Sequence, residues 1–359
     1  MTTLPFALSV RRERLPDGTP GSEAPPRDSQ AAATGEAPAP PGFPAVIRGE
    51  IHLPDGGGTG GGTGEKTGDG TGGGTGGGTP GGTGDEAPGG TGDETPGEKT
   101  GEKTGGGTGD APSAVVLIHG FKGFRRWGFF PHVAERLVED GHAVVAFDFS
   151  LNGVGEGGLD FDELDAFGRN TFSRELAELR QVVEALRGGS LPGAVPTRIG
   201  LLGHSRGGGI GILGARDLGV DALVTWASVS TFQRWDEATR KRWKEAGRIY
   251  VANARTKQDM PLDVTLLEDM EENGERLDIE AAAGALEMPW LIVHGDRDEA
   301  VSVAEAEQLS RAQPGARLEV IAGAGHTFGA THPFSGESEH LGQALAATRE
   351  HFRTALGGA

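Results

Sequence analysis

The sequence predicts an α/β fold: a doubly wound, mostly parallel sheet with helices on both faces and a small helical cap insertion. Three observations lead to this prediction. Continuous apolar runs recur from residue 114 onward, as in strands that are buried on both faces. Stripes of apolar residues at helical spacing separate several of these runs, and strands that alternate with helices form a parallel sheet. One longer polar interval, residues 231–287, interrupts the alternation.

Each element of this prediction rests on a local pattern. Alternation of apolar and polar residues predicts two N-terminal strands, at residues 6–10 and 46–53. Apolar runs predict six buried strands, at residues 115–118, 143–147, 199–202, 222–226, 290–293 and 318–321. Apolar stripes predict helices at residues 130–141, 172–186 and 337–356, with two more inside the long interval at 239–246 and 261–273.

These elements divide the chain into five parts. Residues 1–54 supply the N-terminal strands, residues 111–230 the first half of the sheet core, and residues 288–359 its second half. Residues 231–287 form the helical cap, which we expect over the carboxyl edge of the strands, where ligands bind in open α/β sheets. Residues 55–110 form a low-complexity loop insertion.

The low-complexity insertion contains 27 Gly in 56 positions and almost no apolar side chains. Such a segment cannot offset the entropy lost on ordering, so we predict that it is disordered. Because it separates two predicted strands, we expect these strands to form a hairpin whose loop has expanded. Loop closure costs grow only with the logarithm of length, so the expansion is tolerable. A flexible spacer is the simpler interpretation, and a binding or cell-surface role is the alternative.

The composition narrows the functional classes. The formal net charge of −19 argues against nucleic acid as a partner, because phosphate binding needs clustered Lys and Arg. The absence of cysteine excludes disulfides, a Cys nucleophile and a Cys-ligated metal. No stretch reaches the about 18 apolar residues of a membrane helix, and the N-terminus lacks a secretory apolar run. We therefore expect a soluble, cytoplasmic protein with no membrane span, no cofactor and no metal.

A nucleophile motif follows the third of the buried strands. Residues 203–207 read Gly-His-Ser-Arg-Gly, between a predicted strand and a helix-like segment. This is the Gly-x-Ser-x-Gly nucleophile elbow in the strand–turn–helix context that it requires. Gly203 and Gly207 remove side chains that would collide with the neighbouring strand and helix, so that the Ser205 hydroxyl can stand clear of the sheet. We therefore predict Ser205 as the nucleophile.

Two further strand ends carry the residues that a serine nucleophile needs. A serine hydroxyl requires an adjacent base, and the chain order expected with this elbow is Ser, acid, His. Asp296 and Asp298 follow the predicted strand 290–293, and His326 follows the strand 318–321. We predict His326 as the general base and one of the two aspartates as its supporting carboxylate.

These motifs resemble the α/β-hydrolase superfamily, in particular its esterase and dienelactone-hydrolase-like branches. The resemblance covers residues 114–356 and is carried by residues 119–121, 203–207, 294–298 and 325–326. It implies that Asp298 is the acid of a Ser-His-Asp triad, because the second Asp of the family's His-Gly-x-x-Asp pattern has that role. Asp296 would instead shape the turn. The dienelactone branch uses Cys where this chain has Ser205.

The resemblance also implies an oxyanion hole made by two backbone amides. The amide of Arg206, the residue after the nucleophile, supplies one donor. The family's His-Gly-x pattern assigns the other to Phe121, and His119 is expected to shape that loop.

Candidate substrate contacts lie close to these motifs. Five aromatic residues within 121–130 either line an acyl pocket or pin the loop to the core, and Phe121 and Trp127 are the candidates for the pocket. His204, beside the nucleophile, either lines the substrate site or packs in the core.

The sequence therefore predicts a serine hydrolase that cleaves a small-molecule carboxylic ester through an acyl-enzyme intermediate. A thioesterase, a peptidase or an amidase would use the same triad, and an acyltransferase or perhydrolase would replace water by another nucleophile. A non-catalytic binding protein on this fold is the least favoured alternative. The sequence leaves open the natural substrate, the acyl-chain preference and the oligomeric state.

Overall fold

A computed structural model of the chain describes residues 1–10, 46–54 and 112–357. The strands within them are β1 (Thr2–Ser9), β2 (Val46–Leu53), β3 (Ser113–Ile118), β4 (Ala143–Asp148), β5 (Arg198–His204), β6 (Ala222–Trp226), β7 (Arg248–Asn253), β8 (Gln258–Asp263), β9 (Trp290–Gly295) and β10 (Arg317–Ile321). The helices are α1 (Phe130–Glu139), α2 (Leu164–Gly168), α3 (Phe172–Arg187), α4 (Arg206–Leu218), α5 (Glu237–Ala246), α6 (Val264–Glu272), α7 (Ile279–Gly284), α8 (Val303–Ala312) and α9 (Glu339–Leu356). None of these helices has the length and apolar character needed to span a bilayer. The insertion predicted at residues 55–110 lies outside the described residues.

The central sheet has eight strands in the order β1-β2-β4-β3-β5-β6-β9-β10. The six strands from β4 to β10 in this order run parallel to one another. In contrast, β2 pairs antiparallel with β4, and β1 pairs antiparallel with β2. The prediction of a doubly wound, mostly parallel α/β sheet is therefore confirmed.

Helices bury apolar side chains against both faces of this sheet. Every residue of β3 and β9 is buried, which explains the continuous apolar runs at 114–118 and 290–293 within them. Successive residues of a strand point to opposite faces. Accordingly, Val116 of β3 belongs to the hydrophobic cluster of α3, α4 and α8, whereas Val115 belongs to that of α1 and α9. The inner parallel strands are thus enclosed by helices on both faces, and polar residues lie at their carboxyl ends.

The pairing of β2 differs from our expectation. The hairpin predicted between the strand at 46–53 and the strand after the insertion is wrong, because β2 pairs with β1 and β4 rather than with β3. Both edges of β3 are taken by parallel partners, β4 and β5. The crossover through α1 brings β4 to the side of β3, so only the outer edge of β4 is left for β2. Alternation identifies a strand, but it does not identify its neighbour.

The interval at 231–287 is not wholly helical. It contains α5, α6 and α7 together with an antiparallel pair, β7 and β8. The helix predicted at 261–273 begins only at Val264, because the preceding residues extend along β7 and bury Met260 and Leu262. The β-branched residues that alternate along β7 are a strand signal that the prediction overlooked.

Helix α4 approaches β3 more closely than side chains would allow. A Cβ atom on Gly207 would lie well inside van der Waals distance of the carbonyl oxygens of Ile118 and His119. One helical turn later, a Cβ on Gly211 would make only ordinary contacts, at 3.4 Å from Ile118 Cδ1 and 3.6 Å from Leu223 Cδ1. The missing side chain at position 207 therefore sets the distance between the helix and the end of β3.

This difference predicts opposite effects of two similar substitutions. Gly207→Ala should lower the free energy of unfolding by about 1–3 kcal/mol or more, because a backbone cannot move aside as a side chain can. Gly211→Ala, the matched control in the same helix, should leave it unchanged or raise it by up to about 1 kcal/mol, since Ala favours helix over Gly. Urea unfolding of both variants measures the difference, and equal stabilities would contradict the close approach.

Candidate active site

The backbone at Ser205 adopts a strained conformation at the turn between β5 and α4. Its φ of 58° and ψ of −121° lie in a region that residues other than Gly rarely occupy. The amide nitrogen of Ser205 donates a hydrogen bond of 2.9 Å to the carbonyl oxygen of Trp226 on the adjacent strand. This geometry ends the strand abruptly and turns the Ser205 side chain out of the sheet.

His326 and Asp298 meet Ser205 at the carboxyl edge of the sheet. Nε2 of His326 lies 3.0 Å from Oγ of Ser205, and Nδ1 of His326 lies 2.7 Å from Oδ2 of Asp298. Because a carboxylate can only accept, Nδ1 carries the proton and Nε2 is left to accept one from the serine hydroxyl. The structure thus brings together the three side chains that the sequence predicts, in one continuous chain of hydrogen bonds.

The two candidate aspartates have different partners. Oδ1 of Asp298 accepts hydrogen bonds from the amides of Ala300 at 2.8 Å and Val301 at 2.9 Å, which leaves Oδ2 for His326. Oδ1 of Asp296 instead accepts from the amide of Gly323 at 2.7 Å. Asp296 therefore joins the loop after β9 to the loop after β10, and Asp298 is the one that contacts the imidazole.

The buried carboxylate of Asp298 is held in its charged form. Burial disfavours that form, but hydrogen bonds from His294 and His326 and the amide of Val301 outweigh the burial. Together they hold the pKa of Asp298 below its ordinary range. A charged carboxylate at this position can stabilise a positive charge on His326 when the imidazole takes up a proton.

The loop after β3 passes directly over Ser205. A Cβ on Gly120 would lie 3.0 Å from Cβ of Ser205 and 2.9 Å from the carbonyl oxygen of His204. Buried His119 shapes this loop: its Nδ1 lies 3.0 Å from the carbonyl oxygen of Gly120, and its Nε2 accepts from the amide of Phe149 at 3.2 Å. Only an Nδ1–H tautomer satisfies both partners.

The two amides predicted to form the oxyanion hole belong to the residues that follow Gly120 and Ser205 in the chain. Phe121 follows Gly120 in the loop, and Arg206 is the first residue of α4, where backbone N–H groups have no partner inside the helix. Within the described residues, neither amide nitrogen donates a hydrogen bond to another protein group. Two such donors, one of them at the positive end of a 13-residue helix, suit a developing negative charge.

Of the residues predicted to contact substrate, Trp127 and His204 lie in different surroundings. Trp127 is half-buried, with its ring stacked on His332 at 6.2 Å between centroids. His204 is buried, and its contacts are those of a core residue rather than those of a residue that lines a substrate site. Its Nε2 donates to the carbonyl oxygen of His326 at 3.0 Å, and its ring packs on Phe129. His204 therefore supports the backbone of His326 from inside the protein.

Sequence reasoning missed a cluster around the Arg206 side chain. The guanidinium lies 4.2 Å from the ring centroid of Phe121 and 4.8 Å from that of Phe172. Its Nη1 is 3.4 Å from Oε1 of buried Glu175, which also accepts from Asn170 at 2.7 Å. This cluster ties the start of α4 to the loop after β3. No sequence signal links these residues, because they lie on separate elements.

No group of three or more potential metal ligands occurs in the part of the chain that the structure describes.

One known protein family matches most of the chain. A model described as the alpha/beta hydrolase family matches residues 115–335. The matched segment begins within β3 and extends beyond His326, so it includes all three side chains of the hydrogen-bonded chain. No curated protein is similar enough to the sequence to count as a match.

Several solved structures share the fold at low sequence identity. Est1E from Butyrivibrio proteoclasticus, with bound ferulic acid, is 22% identical, with a TM-score of 0.51 over 68% of this chain and 90% of that chain. A monoacylglycerol lipase from Paleococcus ferrophilus is 18% identical, with a TM-score of 0.50 over 67% of this chain and 95% of that chain. A dienelactone hydrolase from Anabaena variabilis is 16% identical, with a TM-score of 0.50 over 99% of both chains.

The burial of His204 predicts a specific dependence of stability on pH. Burial, with a further contribution from nearby His326, lowers the pKa of His204 to about 3. Between that value and the ordinary value of 6.5, the unfolded chain binds a proton at this position and the folded protein does not. Neutral His204 therefore makes its full contribution to the free energy of unfolding above pH 6.5. As the pH falls below that value, the free energy of unfolding decreases by about 1.4 kcal/mol per pH unit.

The variant His204→Gln isolates this contribution, because the Gln amide can donate to the same carbonyl and does not titrate. Urea unfolding at several pH values between 6.5 and 4 should show a flatter dependence for the variant than for the wild type. Parallel curves would mean that His204 titrates normally.

Proposed function

The chain belongs to the α/β-hydrolase family, and we propose that it is a serine hydrolase that cleaves carboxylic esters of small molecules through an acyl-enzyme. Ser205 is the nucleophile, His326 the general base and Asp298 the supporting carboxylate. The observation that carries this proposal is the chain of hydrogen bonds from Asp298 through His326 to Ser205, at 2.7 and 3.0 Å.

In the first half of the reaction, the oxygen of Ser205 attacks the acyl carbon as its proton passes to Nε2 of His326. Asp298 stabilises the imidazolium and holds its Nδ1–H. The carbonyl oxygen becomes an oxyanion between the amides of Phe121 and Arg206, where each donor is worth a factor of about 10²–10³ in rate. The intermediate collapses when Nε2 returns the proton to the leaving alcohol, and the acyl group stays on Ser205.

In the second half, water replaces the alcohol. His326 removes a proton from water, the resulting hydroxide attacks the acyl carbon, and the proton returns to Ser205 as the acid leaves. The geometry suits this exchange because the His326 side chain remains 24% exposed while the side chain of Asp298 has no exposed surface. Water can therefore reach the base without reaching the carboxylate that orients it.

An ester demands less of this arrangement than an amide does, since an alkoxide leaves more readily than an amide anion and needs less help from the general acid. Thioester or amide cleavage and acyl transfer to another acceptor use the same side chains. A panel of p-nitrophenyl esters of increasing chain length, with the corresponding thioester and anilide, separates these activities.

The two aspartates provide a matched test of the proposed triad. Asp298→Asn should lower kcat by about 10⁴, as in other Ser-His-Asp enzymes, because an amide NH₂ facing Nδ1 of His326 imposes the wrong tautomer. Asp296→Asn should keep nearly full activity, because its amide oxygen still accepts from the amide of Gly323. The measurement is kcat on p-nitrophenyl butyrate, with Ser205→Ala as the inactive reference.

The reverse order of the two aspartate variants would assign the acid to Asp296. Activity of Ser205→Ala equal to that of the wild type would exclude a serine hydrolase that uses this residue. Circular dichroism and urea unfolding of each variant establish that the comparison is between folded proteins.

A further inference from the structure

His294 is a buried polar side chain that the proposed reaction does not use. It lies near the carboxyl end of β9, opposite Val320 of β10, and its side chain has no exposed surface. Its Nε2 donates a hydrogen bond of 2.9 Å to the carbonyl oxygen of Val301, so Nε2 carries the proton. Nδ1 is buried and has no hydrogen-bond partner among the described residues.

An orphaned nitrogen is costly in the core of a sheet, and an apolar side chain would avoid that cost. The preceding residues of β9 are all apolar and buried. The unpaired Nδ1 of His294 is unfavourable for folding, so we expect the histidine to serve another purpose. The hydrogen bond of its other nitrogen, Nε2, indicates which purpose this is.

The hydrogen bonds of His294 converge on the candidate triad acid. Val301 accepts from His294 through its carbonyl oxygen and donates through its amide to Oδ1 of Asp298 at 2.9 Å. Nε2 of His294 also lies 3.4 Å from Oδ2 of Asp298. The turn between β9 and α8 is therefore closed by contacts among three residues, and they leave the carboxylate with one orientation, in which Oδ2 faces Nδ1 of His326 at 2.7 Å.

We infer that His294 is a positioning residue, which holds Val301 and Asp298 so that the carboxylate is aimed at His326. It touches neither the substrate nor the reacting atoms. The inference rests on the proposed function, because orientation of Asp298 matters for activity only if Asp298 supports the base.

The required group is an N–H donor at the place of Nε2. The side chain of Gln places its amide nitrogen near that position, whereas Asn is one methylene shorter and Leu has no donor. His294→Gln, His294→Asn and His294→Leu therefore separate the hydrogen bond from the volume. The Gln and Asn variants have the same chemistry and differ only in reach, so their comparison holds even if the Leu variant does not fold.

His294→Leu and His294→Asn should lower kcat on p-nitrophenyl butyrate by 10- to about 100-fold, the size of effect that a small misplacement of a catalytic group produces. KM should stay within about twofold, because His294 does not contact the substrate. His294→Gln should recover most of the wild-type kcat. A packing defect alone would not be relieved by Gln in preference to Leu.

A double-mutant cycle with Asp298→Asn tests whether His294 acts through the carboxylate. In that background, His294→Asn should change kcat, or the rate of labelling by a fluorophosphonate, by less than about twofold. The same fold-change in both backgrounds would overturn the inference, as would equal kcat for the Gln and Asn variants or a wild-type kcat for His294→Leu. A wild-type protein no more active than Ser205→Ala would instead refute the proposed function, whatever the His294 variants do.

Discussion

The site depends on one constraint, the strained turn at which β5 becomes α4. The positive φ of Ser205 can persist only if its surroundings hold it, and they do so at several points. Its amide is bonded to the carbonyl of Trp226, Gly120 packs against its side chain, and Gly207 lets the start of the helix touch the end of β3. A larger residue at either glycine would force the loop and the helix apart and separate the two amides that we propose as the oxyanion hole.

The surroundings of the proposed base are as closely fixed as the turn. A buried carboxylate would ordinarily lose its charge, but Asp298 receives hydrogen bonds from two backbone amides and from His326. On the other side, His204 holds the carbonyl of His326. Nδ1 of His326 is thus engaged by Asp298, and the proton of the proposed reaction can be exchanged only between Nε2 and the serine oxygen. Preorganisation of this kind lowers the reorganisation needed during the reaction.

Much of this fold can be predicted from the sequence because strands buried on both faces must be apolar throughout. The predicted apolar run at residues 222–226 matches β6 to the residue, and the alternating segment predicted as a strand at residues 46–53 matches β2 to the residue. Strand order is harder to predict, since it depends on which edge a crossover leaves free, and β2 accordingly pairs with β4 instead of β3. The sequence prediction also lacks β7 and β8, because these two short strands lie inside a polar interval.

The site shows a similar division. Residues at strand ends converge in any parallel sheet, so Ser205, Asp298 and His326 could be selected from motif order, and the structure places them within hydrogen-bond distance. Their catalytic roles are proposals. His204 and His294 could not be assigned, because the partner of each is a backbone carbonyl whose position no sequence pattern records.

Chemical labelling shows which atom of the protein becomes reactive. The wild-type protein is incubated with a fluorophosphonate, digested, and analysed by mass spectrometry of the peptides. We predict one adduct per chain, on the hydroxyl of Ser205, formed at least 100-fold more slowly in His326→Ala. An adduct on a different residue, or labelling of Ser205 that is equally fast without the imidazole, would contradict activation of this serine by His326.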